Sequence, residues 1–145
     1  MRRWASLLAL ALALLLAGCS APPDEAALRE RIEGLQSAIE ARDSGALMAA
    51  VHAEFGGPGG MDREGLRRYA TLMLLRQQNV GVVVGAVDIE VHGERAAVRF
   101  DAVVSGGNRI LPEGVEARRV ETAWRIEGGE WMLVSADWSK PALSR

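Results

Sequence analysis

Between residues 82 and 138 the apolar side chains fall on alternate positions, in four segments separated by glycine-bearing connections. A period of two belongs to half-buried strands, because apolar residues on a helix recur every three to four positions. The first segment is Val82–Val91, and its inward parity shifts near Gly85, as a glycine bulge would cause. His92-Gly93-Glu94 turns into a second strand, Arg95 to Val104, and Ser105 to Gly114 is a longer loop. A third strand spans Val115 to Glu127, Gly128-Gly129 makes a hairpin, and a fourth strand runs from Glu130 to about Trp138. These connections predict an antiparallel meander. Even positions on the last three strands include Val98, Phe100 and Ala102, then Val120, Thr122 and Trp124, then Val134, Ala136 and Trp138. Odd positions are largely charged, with Trp131 and Leu133 as apolar exceptions. One apolar and one charged face suit a sheet that helices cover on one side.

Upstream the period is helical. Asp24 can cap a helix in which Leu28, Ile32, Leu35 and Ile39 share a face, with Arg29, Glu30, Glu33 and Glu40 opposite. Arg42-Asp43-Ser44-Gly45 interrupts it, and Asp43 or Ser44 can cap a second short helix with Leu47, Met48, Val51 and Phe55 inward. Gly56-Gly57-Pro58-Gly59-Gly60 must be a loop. Asp62 caps a third helix through about Gln78, with Leu66, Tyr69, Ala70 and Met73 on one stripe. Leu72, Leu74 and Leu75 widen that stripe, so the helix is either deeply covered or offers a contact surface. The expectation is an α+β fold, N-terminal helices packed on a curved four-stranded antiparallel meander, as a single domain over residues 28–140 with a short tail at 141–145.

The first twenty residues are of a different kind. Arg2 and Arg3 precede 14 uncharged residues, Trp4 to Ala17. As a helix that run would be ~21 Å long, short of a ~30 Å hydrocarbon core, so it reads as a cleaved export signal. Leu16-Ala17-Gly18-Cys19 resembles the lipobox of bacterial lipoproteins. The resemblance implies cleavage before Cys19, a diacylglycerol on its sulfur and an acylated amino terminus. Several acyl chains hold a protein firmly where one binds only marginally. Cys19 is the only cysteine, so no intramolecular disulfide can form. Residues 19–27 then form the lipidated cysteine and its tether, and in that family's pattern Ser20 directs the protein to the periplasmic face of the outer membrane. Of the 17 basic residues two leave with residues 1–18, so 15 face 19 acidic ones, a formal charge of −4. That balance gives no reason to expect a nucleic acid partner.

The stretch Ala41-Arg42-Asp43-Ser44-Gly45-Ala46-Leu47-Met48, the bent meander and the closing Ala123-Trp124-Arg125-Ile126-Glu127-Gly128-Gly129-Glu130-Trp131 hairpin look like the nuclear transport factor 2-like superfamily, over residues 28–139. The resemblance implies a conical α+β domain. It spans ketosteroid isomerases, polyketide cyclases, dehydratases and non-enzymatic binding domains, so fold alone does not choose a function.

Enolisation chemistry would need a carboxylate or His base inside the cone and an acid facing it. Tyr69, His52 and Asp101 are the candidates, although Asp101 has outward parity and His52 has no evident partner. Phe100, Trp124, Trp138, Tyr69 and Thr122 are the candidates to line a pocket, the alternative for the tryptophans being plain core. Asp88, Glu90 and His92 share a strand face, but same-face neighbours ~6.6 Å apart cannot all ligate one ion at ~2 Å. No metal or cofactor is expected. The first functional expectation is a lipid-anchored, non-catalytic envelope domain that binds a small apolar ligand or an envelope protein. The second is an isomerase, cyclase or dehydratase. A homodimer through the outer sheet face, where Trp131 and Leu133 interrupt the charges, or through the third helix is a further expectation.

Cys19→Ala should leave an uncleaved precursor held in the membrane by residues 4–17, and mass spectrometry of the wild-type amino terminus should find acyl mass on Cys19. A soluble mature chain with an unmodified thiol would refute the lipobox reading.

Overall fold

The structure, a computed structural model, describes residues 25–76, 80–106 and 115–142. The export signal, Cys19 and most of its tether, the Asp24 cap, residues 107–114 of the longer loop and residues 143–145 lie outside these. Helix α1 (Glu25–Glu40) buries Leu28, Ile32 and Ala38. It reaches back beyond Leu28 to Glu25, which pairs with Arg29 one turn on at 2.8 Å.

The end of α1 is a tight reversal. The Asp43 N–H donates to the Ala38 carbonyl (2.8 Å) and the Arg42 N–H to the Ile39 carbonyl (3.0 Å), the pair of bonds that closes a helix through a left-handed residue. That residue is Arg42, at φ 58°. Glycine usually occupies this position, since a Cβ costs ~1–2 kcal/mol there. Arg42 compensates by reaching the C-terminal turn of another helix, its Nε donating to the Leu74 carbonyl at 2.9 Å. Asp43 then caps α2 (Ser44–Ala49) by accepting from the Ala46 N–H.

The second helix was expected to continue through Val51 and Phe55. Instead it stops at Ala49, and Val51–Gly56 is strand β1. The spacing of Leu47, Met48, Val51 and Phe55 fits a helix, but Leu133 N–H bonds to the Ala50 carbonyl (2.8 Å) and draws the chain into a parallel pairing with the last strand. The glycine-rich stretch is a loop from Gly57 on, while Gly56, expected in it, ends β1 opposite Ser135; the loop holds a 3-10 turn at Pro58–Gly60, with positive φ at Gly59 and Gly60. Asp62 caps α3 (Arg63–Arg76) through the Gly65 N–H at 2.7 Å, and Leu66, Ala70 and Leu74 face inward.

The meander consists of β2 (Val80–Val84), β3 (Asp88–His92), β4 (Arg95–Gly106), β5 (Val115–Glu127) and β6 (Glu130–Pro141). β2 and β3 are two halves of the expected first strand, both antiparallel to β4. Val84 lies opposite Ala102 and Asp88 opposite Arg99, so three residues, 85–87, face two. The bulge sits where Gly85 N–H meets the Asp101 carbonyl at 2.8 Å. Sheet order is β1-β6-β5-β4-β2, so the four-stranded meander gains β1 at one edge. The type of fold is as expected, helices on one face of a curved, unclosed sheet.

One core results, joining Leu28, Ile32, Met48, Val51, Phe55 and Leu66 to Ala96, Val98, Trp124, Trp131, Leu133 and Ala136. Among the described residues its buried members lie between Leu28 and Ala136, all within the chain from residue 20. Trp131 and Leu133, expected on the charged face, are buried in this core. Ala123 pairs with Ser135 but Trp124 with Leu133, which leaves Val134 as an extra residue. Below that bulge odd positions point inward, above it even ones do. A second bulge, between the Glu121–Asp137 and Arg119–Lys140 pairs, is held by Asp137, which accepts from the Ser139 N–H and hydroxyl. Among the described residues no helix is long and apolar enough to cross a membrane.

The Arg42 turn gives a stability test by urea denaturation. Arg42→Ala keeps the left-handed backbone and loses the bond to Leu74, so it should cost ~1 kcal/mol. Arg42→Gly loses the same bond but relaxes the backbone, and should be ~1 kcal/mol more stable than the alanine variant.

Candidate functional site

The candidate residues fall at separate places. Tyr69, on α3, stacks on Trp138 of β6 with ring centroids 5.7 Å apart and planes at 30°. Tyr69 is 41% exposed, while Trp138 and Phe100 are partly buried and pack against the core. The pair thus forms an aromatic surface, open to solvent, whose back is continuous with the interior. Its position depends on the second β6 bulge, since Trp138 lies between Asp137 and Ser139.

Trp124 and Thr122 are inside. Trp124 is buried and donates its indole N–H to the Thr122 hydroxyl (2.8 Å), which donates in turn to the Val98 carbonyl (3.1 Å). This chain satisfies the polar atoms that the apolar face carries there, as burial requires. It also commits the Thr122 hydroxyl.

His52 is on β1 and buried. Its Nδ1 accepts from the Glu54 N–H at 3.0 Å, which assigns the ring proton to Nε2, and Nε2 meets the Glu127 carboxylate. The Arg125 guanidinium lies 3.0 Å from the same nitrogen and donates to Glu54 at 3.1 Å. Two donors facing each other do not bond, so Arg125 serves the carboxylates around the ring. Sequence reasoning missed this cluster because its partners are 73 and 75 positions away.

Asp101 is on the charged face, away from the core. The Arg119 guanidinium grips it in a fork, Nε to Oδ1 at 2.5 Å and Nη2 to Oδ2 at 3.2 Å. The hydrogen bonds from Arg119, with its charge, hold the Asp101 carboxyl below the usual carboxylate range. Asp137 is also lowered, first by the Ser139 hydroxyl and then by the Ser139 N–H. Asp88 and Glu90 both face Arg99, at 3.8 and 3.7 Å. Among the described residues no three His, Cys, Asp or Glu side chains gather closely enough to hold a metal.

A trough not evident from the sequence crosses the charged face. Ala97, Ala123, Ser135 and Gly56 lie opposite one another across β4, β5, β6 and β1. These small residues floor a cleft of about 400 Å³, walled by Arg99, Glu121 and Asp137 and closed by Pro58. On β4 and β5 the signal was an alanine between same-face charges (Arg95 and Arg99, Glu121 and Arg125), but only the register aligns these with Ser135 and Gly56.

No family model and no curated protein sequence matches the chain. Solved structures do. Bd1075 of Bdellovibrio bacteriovorus is 14% identical with a TM-score of 0.72 over 81% of this chain, which spans 40% of that protein. A nuclear transport factor 2-like protein of unknown function from Pseudomonas putida is 15% identical, with a TM-score of 0.71 over 81% of this chain and 86% of that one. A proposed dehydratase of the same fold family from Streptomyces avermitilis is 15% identical, with a TM-score of 0.73 over 86% and 100%. Identities this low establish the fold alone. That fold is the nuclear transport factor 2-like cone.

A carboxyl held low by a folded-state partner stabilises the fold above its unfolded pKa, ~3.9 for Asp, and that stability is lost as pH falls through the folded value. Asp101→Asn should therefore lower the thermal midpoint at neutral pH, and the gap to wild type should close below about pH 4. A gap that stays constant down the acid limb would show that the Asp101–Arg119 fork contributes nothing through charge.

Proposed function

We propose that the protein is an envelope lipoprotein, anchored through Cys19, whose cone is a non-catalytic binding domain. Its ligand is a small apolar molecule taken at the Tyr69–Trp138 surface, with an envelope protein as the competing occupant. The observation that carries this reading is the stacked aromatic pair, Tyr69 exposed to solvent and Trp138 half-buried against the core. Aromatic faces held at such an edge bind apolar and planar groups with little ordering cost, because only two torsions per ring need fixing.

The positions of the titratable groups support a binding role over acid–base chemistry. His52 is committed to Glu127 and to the Glu54 N–H, Asp101 to Arg119, and Thr122 to Trp124 and Val98. A base acting in the cone needs an available lone pair facing the substrate; the His52 ring nitrogens and the Thr122 hydroxyl are engaged, and Asp101 lies on the charged face, away from the core. Ser20 after Cys19 supports residence at the periplasmic face of the outer membrane. A homodimer, if formed, would use groups other than Trp131 and Leu133, which are inside.

Calorimetric titration with a medium-chain fatty acid tests the reading. Wild type should bind, Trp138→Ala should weaken binding about tenfold, and Trp138→Phe, which keeps a ring, should retain most of it. Turnover of an enolisable ketone or a hydroxylated cyclic substrate that Tyr69→Phe or Asp101→Asn abolishes would replace the binding reading by an enzymatic one.

A further inference from the structure

Helix α3 carries a second stripe, on the side away from the core. Its buried residues are Leu66, Ala70 and Leu74. Leu72 lies one turn after Arg68 and one turn before Leu75 and Arg76, so these four share the face diametrically opposite. Both leucines are well exposed, Leu72 at 47% and Leu75 at 69%, and both arginines are exposed. Among the described residues neither Arg68 nor Arg76 has an ion-pair partner. α3 holds four arginines and one glutamate, a formal +3, in a chain whose charge from residue 19 onward is −4. Its glutamate, Glu64, lies one turn before Arg68 at the far end of the same face, and its carboxylate is engaged by Arg63 and Arg67, at 3.7 and 3.4 Å.

We propose that this stripe docks the domain on an anionic phospholipid surface. Leu72 and Leu75 enter the boundary between headgroups and acyl chains. Arg68 and Arg76, one turn to either side of Leu72, lay their stems along the leucines and place their guanidinium groups on lipid phosphates. This is the arrangement of an interfacial helix, with apolar side chains on a narrow face flanked by basic ones and immersion of only ~5–10 Å. A guanidinium grips phosphate oxygens by two parallel bonds, which suits it to that role.

Area and charge favour a bilayer over the other occupants. A stable protein interface buries ~800 Å² on each partner, far more than two leucines and two arginines expose on one helical stripe. A second copy meeting this stripe about a two-fold axis would set arginines against arginines, and like charges across a contact are disfavoured. The inference rests on the envelope reading only for the source of the bilayer. If Cys19 is lipidated, residues 19–24 reach at most ~20 Å from the anchor to Glu25, so a weak second contact acts at high effective concentration.

The test uses the mature chain from residue 20 without lipid, so its outcome is independent of Cys19 acylation, which the amino-terminal mass measurement reports separately. Co-sedimentation with vesicles of phosphatidylcholine containing about one-third phosphatidylglycerol should show binding that falls steeply with salt, with little on phosphatidylcholine alone. Arg68→Gln and Arg76→Gln together should weaken it about thirtyfold, some fivefold per arginine, while the paired lysine replacements keep most of it. Leu72→Ser with Leu75→Ser should weaken it about tenfold. These side chains lie outside the core, so the variants should remain folded at the assay temperature, as thermal midpoints will show, and loss of binding is then attributable to the stripe. Equal vesicle binding by wild type and variants, or none by wild type, would overturn the proposal. So would a concentration-dependent dimer in sedimentation that the serine variant abolishes, because it would show the stripe covered by a second copy.

Discussion

One extra residue in β6, Val134, decides how the whole sheet is filled. Before it the strand sends Trp131 and Leu133 inward, and after it Ala136. Without that residue the parity set by Ala136 would put the first-half tryptophan on the charged face, and α1 and α2 would lose the surface they close on. Leu28 and Ile32 of α1 and Met48 of α2 belong to the same core as Trp131. Arg31 reinforces the junction, its Nε donating to the Trp131 carbonyl at 3.1 Å and its Nη2 to the Ala49 carbonyl at 3.4 Å. The bulge therefore fixes the seat of the helical layer as well as the face of one strand.

Burying Trp131 has a cost that the fold accepts. Its side chain is 2% exposed, and its indole N–H has no hydrogen-bond partner among the described residues. An orphaned buried donor costs ~1–3 kcal/mol. Burial of a ring that covers ~150–250 Å² returns roughly 4–6 kcal/mol at ~25 cal/mol per Å². The balance favours burial. Trp124, a few residues earlier on β5, is treated differently, because Thr122 two positions back on the same face can accept from it. The two tryptophans of the hairpin thus show the same apolar requirement met once with a polar partner and once without.

Local signals were legible and long-range ones were not. Asp43 and Asp62 cap helices where an Asp before an apolar-periodic run should, and Gly128-Gly129, both at positive φ, form the expected hairpin. The Gly85 bulge was also readable, because a parity shift at a glycine is contained within ten residues. β1 was not, since six residues of a parallel edge strand carry apolar spacing that a helix also satisfies. The inward turn of Trp131 and Leu133 depends on one unpaired residue that alternation cannot reveal. His52 acquires Glu127 and Arg125 only through the order of strands, and the trough over Ala97, Ala123, Ser135 and Gly56 only through register. The aromatic candidates were identified as a set, but the structure divides them into core (Trp124) and the half-buried Trp138 stacked on the exposed Tyr69.

Charge in the helical layer is unevenly divided. α1 carries Glu25, Glu30, Glu33 and Glu40 against Arg29 and Arg31, a formal −2, while α3 is at +3. Screening at physiological ionic strength falls off over ~8 Å, so an approaching charged surface feels the nearer helix and little of the other. An acidic body can then present a basic face without contradiction, since net charge governs long-range repulsion and the local helix governs contact. Segregation of this kind has no bearing on the core, which is built from Leu66, Ala70 and Leu74 whatever the outward side of α3 carries. Helix formation favours leucine and arginine at these positions but does not require that they form one outward stripe of exposed apolar and basic groups. The apolar exposure and unpaired charge at these four positions are better accounted for by something outside the chain than by the fold.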